Sequence, residues 1–380
     1  QIYKIMFPKS KSKLIESIKQ FSDTQILSYS SNRNFDYGIP HKNVSRLSPY
    51  LRRRFISEYE VLKIILNKHK YENIEKFIEE IFWRTYWKGW LETHPYVYKE
   101  YELKHHNQII PTKTGIKCFD HWKDELIETG YLHNHSRMWF ASIWIFTLKY
   151  SWESGANFFK NNLIDWCPAS NTLGWRWVAG IQTIGKPYIA RAENIKHFTD
   201  NRFYPKGQLH EDITLSPKNT SHQKAIDLNF SKESSITEID NLGIVLNNND
   251  LTLNQEFKDF NINYHTCLFK LKNGNPLINK FENDIFEDII NNNNKIELVE
   301  TIENLLRWIE LKKIKNLILP HETVGNEIFK NSSFLNQLSD KKVTYQFYAR
   351  EWDINAFSYA KKGFFNFKKN IPYLLKLSNL

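Results

Sequence analysis

The sequence predicts an all-α front domain over residues 1–203 and a smaller α/β domain, Rossmann-like with a mostly parallel sheet, over residues 237–380. Three observations predict this. Apolar residues in the front half recur at helical spacing between cap signals, with no convincing strand alternation. After residue 242, short β-branched runs alternate with helical stretches. Between the two lies a polar stretch at 204–236, with Pro205 and Pro217 and no apolar period, which reads as a linker or crossover. A length of 380 residues is itself long for one core.

In order along the chain, Ser57-Glu58-Tyr59-Glu60 is a capping box that opens a helix through about Lys68. Asn73 can cap a second helix running to about Glu92, where Pro95 forbids continuation. A third covers about Phe119 to Thr129, stopped by Gly130. A fourth runs from Asn134 to Lys149 and a fifth from Glu153 to Leu163. Strands are expected at 243–247 and 264–270, then a helix from Glu297 to Lys313, a strand at 316–319, a helix near 331–338 and a strand at 343–348. Asn291–Asn294 reads as a low-complexity loop.

Composition excludes several classes. Only Cys118, Cys167 and Cys267 are present, without paired spacing, which fits a reduced, cytoplasmic protein and supplies no four-thiolate metal set. No apolar run approaches the roughly 18 residues of a membrane span. Neither a GxGxxG nor a Walker loop occurs. Ten of the 12 Trp lie between Trp83 and Trp177, and residues 1–200 hold 29 Lys+Arg against 20 Asp+Glu. Basic charge attracts phosphates and aromatic rings stack on bases, so the front half is where a nucleic acid or a flat cofactor would bind.

Three clusters could carry chemistry. Glu80, Trp83, Arg84 and Trp87 fall at i, i+3, i+4 and i+7, on one helical face. A carboxylate, two indoles and a guanidinium suit a cavity for something flat and polar, but an internal Glu–Arg pair on a half-buried helix explains the spacing as well. Asn134, Arg137 and Met138 share a face near a helix start, with Asp165 downstream as a candidate partner for Arg137. His133 and His135 read as structural, since no Cys or carboxylate completes a metal set. In the stretch 165–180, Trp175 and Trp177 flank Arg176; they are core anchors or a stacking and relay platform, and spacing does not choose.

These blocks resemble the FAD-binding domain of the DNA photolyase/cryptochrome family. Val44-Ser45-Arg46-Leu47-Ser48-Pro49-Tyr50-Leu51 is similar to that family's phosphate loop T-S-x-L-S-P-Y-L. Glu80-Ile-Phe-Trp83-Arg84 is similar to E-L-x-W-R, His133-Asn134-His-Ser-Arg137-Met138 to H-N-R-x-R-M, and Asn171-Thr-Leu-Gly174-Trp175-Arg-Trp177 to N-N-x-G-W-Q-W. The resemblance covers about residues 20–203, half of the chain, with four motifs in the family's order. It implies FAD, reduced in the active form, held by Tyr29, Ser45, Leu47, Ser48 and Arg84, with Arg137, Asp165 and Asn171 at the flavin edge. It implies a lesion pocket of Glu80, Trp83, Asn134, Met138 and Trp177, and electron transfer through Trp152 and Trp175. The outer Trp of the family's relay has no counterpart in 101–114, where Tyr101 is a substitute.

The sequence departs from the pattern in places. Val44 replaces Thr, Arg54 stands where the loop carries Gly, Tyr131 replaces Trp and Cys167 replaces Asp. The phosphate loop begins near residue 44, which leaves no room here for the α/β antenna domain that members usually carry first; an α/β half follows instead, possessing no chromophore pocket legible in its sequence. The expected function is light-driven repair of cyclobutane pyrimidine dimers in UV-damaged DNA, with a preference for single strands left open by the missing leading antenna domain, by a monomer that needs no membrane. A cryptochrome-type photoreceptor is the alternative; it would need the phosphate loop and a Trp relay but would have no use for the lesion-side residues. A non-catalytic single-strand-binding module would explain charge and Trp but not the phosphate loop.

Overall fold

Local signals fix most of the helical half. The computed structural model describes residues 6–216, 221–230, 240–260 and 262–380, so the linker expectations at 217–220 and 231–236 fall outside it. The front half comprises α1 (Lys11–Thr24), α2 (Tyr29–Asn32), α3 (Ser48–Arg52), α4 (Glu58–Leu66), α5 (Tyr71–Thr93), α6 (Tyr96–Lys104), α7 (Lys117–Thr129), α8 (Asn134–Ser142), α9 (Trp152–Asn162), α10 (Pro168–Val178) and α11 (Ala192–Phe198). Among the described residues no strand precedes Leu242.

The capping box forms as expected: Glu60 N–H donates to Ser57 Oγ at 3.2 Å, and Ser57 N–H donates to Glu60 Oε2 at 2.9 Å. Gly130 ends α7 at φ +69°, and a Cβ there would lie 2.6 Å from the Ile164 side chain, so glycine is needed twice over. Two boundaries differ. Helix α5 begins at Tyr71 rather than Asn73, because the Asn73 N–H already closes a turn onto Lys70 O. Helix α8 stops at Ser142 instead of reaching Lys149; a π-helical turn, Ile143–Thr147, follows, and Lys149 turns left-handed at φ +61°.

The second half contains β1 (Leu242–Leu246), β2 (Tyr264–Phe269), α12 (Pro276–Asn292), β3 (Ile296–Val299), α13 (Ile302–Leu311), β4 (Asn316–Pro320), α14 (Phe334–Asp340), β5 (Thr344–Tyr348), α15 (Glu351–Phe357), α16 (Phe364–Lys368) and α17 (Ile371–Leu377). Its five strands are all parallel, in the order β3-β2-β1-β4-β5, which is a doubly wound sheet. The register pairs Ile244 with both Thr266 and Ile318. Alternate residues serve two cores. Ile244, Leu246, Leu268 and Ile318 join the core of the helical half, whereas Val245, Cys267, Leu317 and Leu319 pack under α13 and α14. The expected helix from Glu297 is corrected: Ile296–Val299 is an edge strand, and the helix starts only at Ile302, capped by Thr301 Oγ1.

The chain's last helices return to α5. Gly89 permits this closeness, since a Cβ there would sit 2.8 Å from Ala360 Cβ and 2.9 Å from Phe357. Trp352 stacks on Phe82 at 4.9 Å and donates its indole N–H to Thr85 Oγ1 at 3.0 Å. A buried ionic clamp ties the halves together. Arg54 of the helical half reaches across to Asp353 at 2.7 Å and Asp250 at 3.9 Å, while Glu58 holds it at 3.3 Å from its own side and Arg350 grips Asp250 within the second half at 2.6 and 2.8 Å. No described helix is long and apolar enough to cross a membrane, and no described cluster of His, Cys, Asp and Glu could hold a metal ion.

A second buried cluster pins the 36–43 loop. His41 lies 2.7 Å from Glu125 and 3.4 Å from Asp36, and Ser136 Oγ donates to Asp36 at 2.6 Å. Burial pushes the His41 imidazole down, but the two carboxylates outweigh it and hold its pKa up. Burial also opposes ionisation of Asp36, yet His41 brings that carboxyl well below the usual range; Glu125 is lowered in the same way by His121 and His41. The His41 contribution is therefore complete below about pH 6.5 and is lost as pH rises through its raised value, while the carboxylates lose theirs as pH falls below about 4. His41→Gln should cost about 3–5 kcal/mol near pH 5.5, and the gap to the parent should narrow towards pH 9, as urea unfolding at both values will read. A gap that is constant with pH would mean that His41 is not charged in the fold.

Candidate functional site

Helix α5 supplies the first wall. Glu80, Trp83, Arg84, Trp87 and Lys88 are its half-exposed positions, between the buried Phe82, Thr85, Tyr86 and Gly89. The internal Glu80–Arg84 pair that would explain this stripe structurally does not form. Glu80 instead faces Lys76 at 3.2 Å and Arg33 at 3.6 Å, and Arg84 Nε is buried without a hydrogen-bond partner. Tyr29 packs beneath the stripe against Phe77, and burial followed by the Glu80 charge drives its phenol far above the usual value. Trp83 stacks on Phe364 of α16, with centroids 3.7 Å apart and planes at 13°, and tilts against Trp87 at 5.3 Å.

Helices α8 and α10 supply the other walls, and α10 packs against both α5 and α8. On α8 the positions that escape burial are Asn134, Arg137 and Met138, the face expected from their spacing. Arg137 forks onto Asp165 at 3.1 and 2.8 Å, and Ser48 Oγ donates to the same carboxylate at 2.6 Å. Burial works against the Arg137 cation, but Asp165 more than restores it. In the loop before α3, Ser45 is half-buried and Leu47 buried; Arg46 is left-handed at φ +53°, and its Nε is buried without a partner. Asn171 donates its amide to Ala156 O at 2.9 Å, which fixes the rotamer of the carboxamide.

Trp177 stacks on Tyr188 at 5.5 Å rather than on Trp83. Trp175 is 2% exposed with an unpartnered indole N–H, and it lies so close to Gly155 that a Cβ would fall 2.2 Å from its ring. Gly155 is one turn along α9 from Trp152, and Tyr101 stands beside Trp152 at 5.9 Å with its hydroxyl buried and unpartnered. Three aromatic groups thus follow one another from the interior of α10 through α9 to α6.

Sequence reasoning missed the residues that the second half contributes. A cleft forms where the C-terminal ends of β1 and β4 meet α5, at the point where strand order reverses. Asn249, His321 and Asn326 line one side, and Arg52, Arg84, Lys88 and Cys167 the other. Burial raises the Cys167 thiol, but the Arg84 and Arg52 guanidiniums outweigh it and bring the pKa down to about 7. Asp250 and Asp353 also line the cleft and face Arg54 and Lys88, so Arg52 and Arg84 are left as the positive excess that suits an anion. Only the lone Cys-for-Asp exchange at Cys167 hinted at this in the sequence; His321 and Asn326 carry no local signal.

Residues 77–209 match the family profile described as the FAD binding domain of DNA photolyase. Among curated relatives, the deoxyribodipyrimidine photo-lyase of Alkalihalophilus pseudofirmus is 27% identical over 216 residues, covering 52% of this chain and 44% of that protein. Its counterpart in Escherichia coli is 26% identical, covering 48% and 42%. The chain thus spans less than half the length of these relatives. In the solved structures, a class III photolyase from Agrobacterium tumefaciens matches with a TM-score of 0.41 at 23% identity, covering 50% of this chain and 43% of that one. A Synechocystis cryptochrome matches with a TM-score of 0.43 at 21% identity, covering 51% and 44%.

The cofactor of such a domain is FAD. The residues present fit it. Arg84 and Arg46 offer buried, unpartnered Nε–H donors of the kind a diphosphate would satisfy, and the Arg137–Asp165 fork offers a planar charged edge.

Proposed function

We propose that this chain, whose helical half is a FAD-binding domain of the DNA photolyase family, repairs cyclobutane pyrimidine dimers in DNA under light. The observation that carries this reading is the half-exposed stripe Glu80, Trp83, Arg84 and Trp87 on α5, in company with Asn134, Met138 and Trp177 on the neighbouring α8 and α10. One face of Trp83 is covered by Phe364 and Trp177 stacks on Tyr188, so what the row offers a ligand is the half-exposed Glu80, Arg84 and Trp87 beside the remaining open edges of those two indoles. A light receptor would need the flavin site but not this row.

In this mechanism Ser45 would hold the cofactor phosphates by its hydroxyl and Leu47 and Ser48 by backbone N–H donors, the Ser48 hydroxyl being engaged with Asp165, and Arg84 would add charge. Arg137 and Asp165 orient the flavin edge, and Asn171 faces it. FAD held there in its reduced form would supply the light-driven one-electron chemistry, lent to the lesion and returned, that cyclobutane cleavage needs. The chain's own groups do the rest: Trp83 and Trp177 flank the flipped-out lesion, Glu80 accepts a hydrogen bond from its base edge, and Asn134 and Met138 close the pocket and exclude water. Trp152, Trp175 and Tyr101 would carry electrons from an external reductant in solution towards the flavin; the Tyr101–Trp152 contact and the closeness of Trp175 to Gly155, one turn from Trp152, support this role.

The test is light-dependent loss of dimers from an irradiated oligonucleotide. Glu80→Ala should lower the repair yield by about 10–100-fold, the scale of one charged hydrogen bond, while FAD stays bound. A folded, FAD-loaded parent that removes no dimers would leave the receptor reading in its place. Loss of FAD from the variant would place Glu80 on the cofactor instead.

A further inference from the structure

The last turns of the chain are as unusual as the stripe they cover. From residue 354 to residue 380 there are five lysines, Lys361, Lys362, Lys368, Lys369 and Lys376, and no Asp or Glu. Lys361 pairs with Asp227 and Lys368 with Glu79, so Lys362, Lys369 and Lys376 are left as exposed charges. Helices α16 and α17 bury Phe364, Phe367, Ile371, Leu374 and Leu375, which accounts for their fold. It does not account for Phe365, which at 83% exposure is the most exposed aromatic side chain among the described residues, or for Tyr373 at 51%.

We propose that α16 and α17 form a binding surface for single-stranded nucleic acid that continues outward from the α5 stripe. Flat exposed rings spaced among uncompensated lysines are what a flexible strand needs: bases stack on the rings while phosphates meet the ammonium groups. Continuity comes from α16 itself, in which Phe364 stacks on Trp83 at 3.7 Å while its neighbour Phe365 faces solvent. A membrane surface is the other partner that basic aromatic segments fit. These helices are only 5 and 7 residues long and offer no extended amphipathic face to lie in a bilayer interface, so nucleic acid is favoured. The inference rests on the nucleic-acid part of the proposed function and not on photochemistry.

The experiment uses the full FAD-loaded chain in the dark and a short, undamaged, fluorescein-labelled single-stranded DNA, read by anisotropy across a salt series. Phe365→Ala should weaken binding by about tenfold, the scale of one lost base stack. The triple variant Lys362→Ala, Lys369→Ala, Lys376→Ala should flatten the slope of log affinity against log salt by about 2. All four residues are exposed, so the melting temperature should not move; a variant that did melt early would be replaced by Tyr373→Ala, for which a loss similar to that of Phe365→Ala is expected. Unchanged affinity and slope in these variants would overturn the proposal. So would affinity for anionic phosphatidylserine vesicles that falls in the variants while DNA binding does not. Failure of dimer repair in the parent would leave this result untouched.

Discussion

Arg54→Gly should lower the melting temperature by about 5–10 °C, although glycine is the residue that the local backbone favours. Arg54 sits at φ +46°, where a side chain costs about 1 kcal/mol, and the resemblance puts Gly at this position. Relief of that strain would stabilise the variant. Against it stands the guanidinium's position among Asp353 at 2.7 Å, Glu58 at 3.3 Å and Asp250 at 3.9 Å, all of them buried. Breaking one side of a buried pair typically costs about 3–5 kcal/mol. Lys88 stays near Asp353 at 3.4 Å and Arg350 still serves Asp250, so the net loss should be about 2–4 kcal/mol. Burial opposes the charge on Asp353, but Arg54 and Lys88 hold its pKa well below the ordinary range, so its contribution is present at neutral pH and lost on acidification. The difference between parent and variant should therefore shrink as pH falls. A variant that melts higher than the parent would show that strain outweighs the clamp.

Asp165→Asn should yield protein that folds but retains less than a tenth of the parent's FAD. The carboxylate is 5% exposed and holds two neighbours at once, Arg137 by a fork and Ser48 by a 2.6 Å hydrogen bond. An amide cannot accept both N–H bonds of the fork as a charge would, and the Arg137 cation is left without its counter-ion. Because the Arg137 side chain keeps 22% exposure, water offsets part of this, and the stability loss should be about 1–3 kcal/mol. The larger effect falls on the cofactor, since a misplaced Arg137 disturbs the flavin edge and a released Ser48 the phosphate loop. Flavin absorbance per mole of protein and the urea midpoint separate the two effects. Full FAD content at the parent's midpoint would remove the fork from the cofactor site.

The fork was legible in the sequence because Arg137 belongs to a distinctive motif and the resemblance implies Asp165 as its partner at the flavin edge. So were the Ser57 box and the Gly130 stop, whose causes lie within four residues of each other. Features set by distant partners were not. Helix α12, opened by Asn275 accepting from Leu277 and Ile278, was hidden by its Asn- and Asp-rich composition. Strand β3 was absorbed into a helix because its outer positions, Glu297 and Leu298, are exposed and the run shows no clean alternation. The Phe364 ring on Trp83 and the Asp353 carboxylate on Arg54 join positions about three-quarters of the chain apart, and no local pattern announces either.

The return of the last helices to α5 has a consequence for synthesis on the ribosome. Phe82, Tyr86 and Gly89 are translated roughly 270 residues before the groups that cover them, Trp352, Phe357, Ala360 and Phe367. The nascent helical half therefore carries an uncovered greasy flank throughout the making of the sheet, until the codons for residues 352–367 are read.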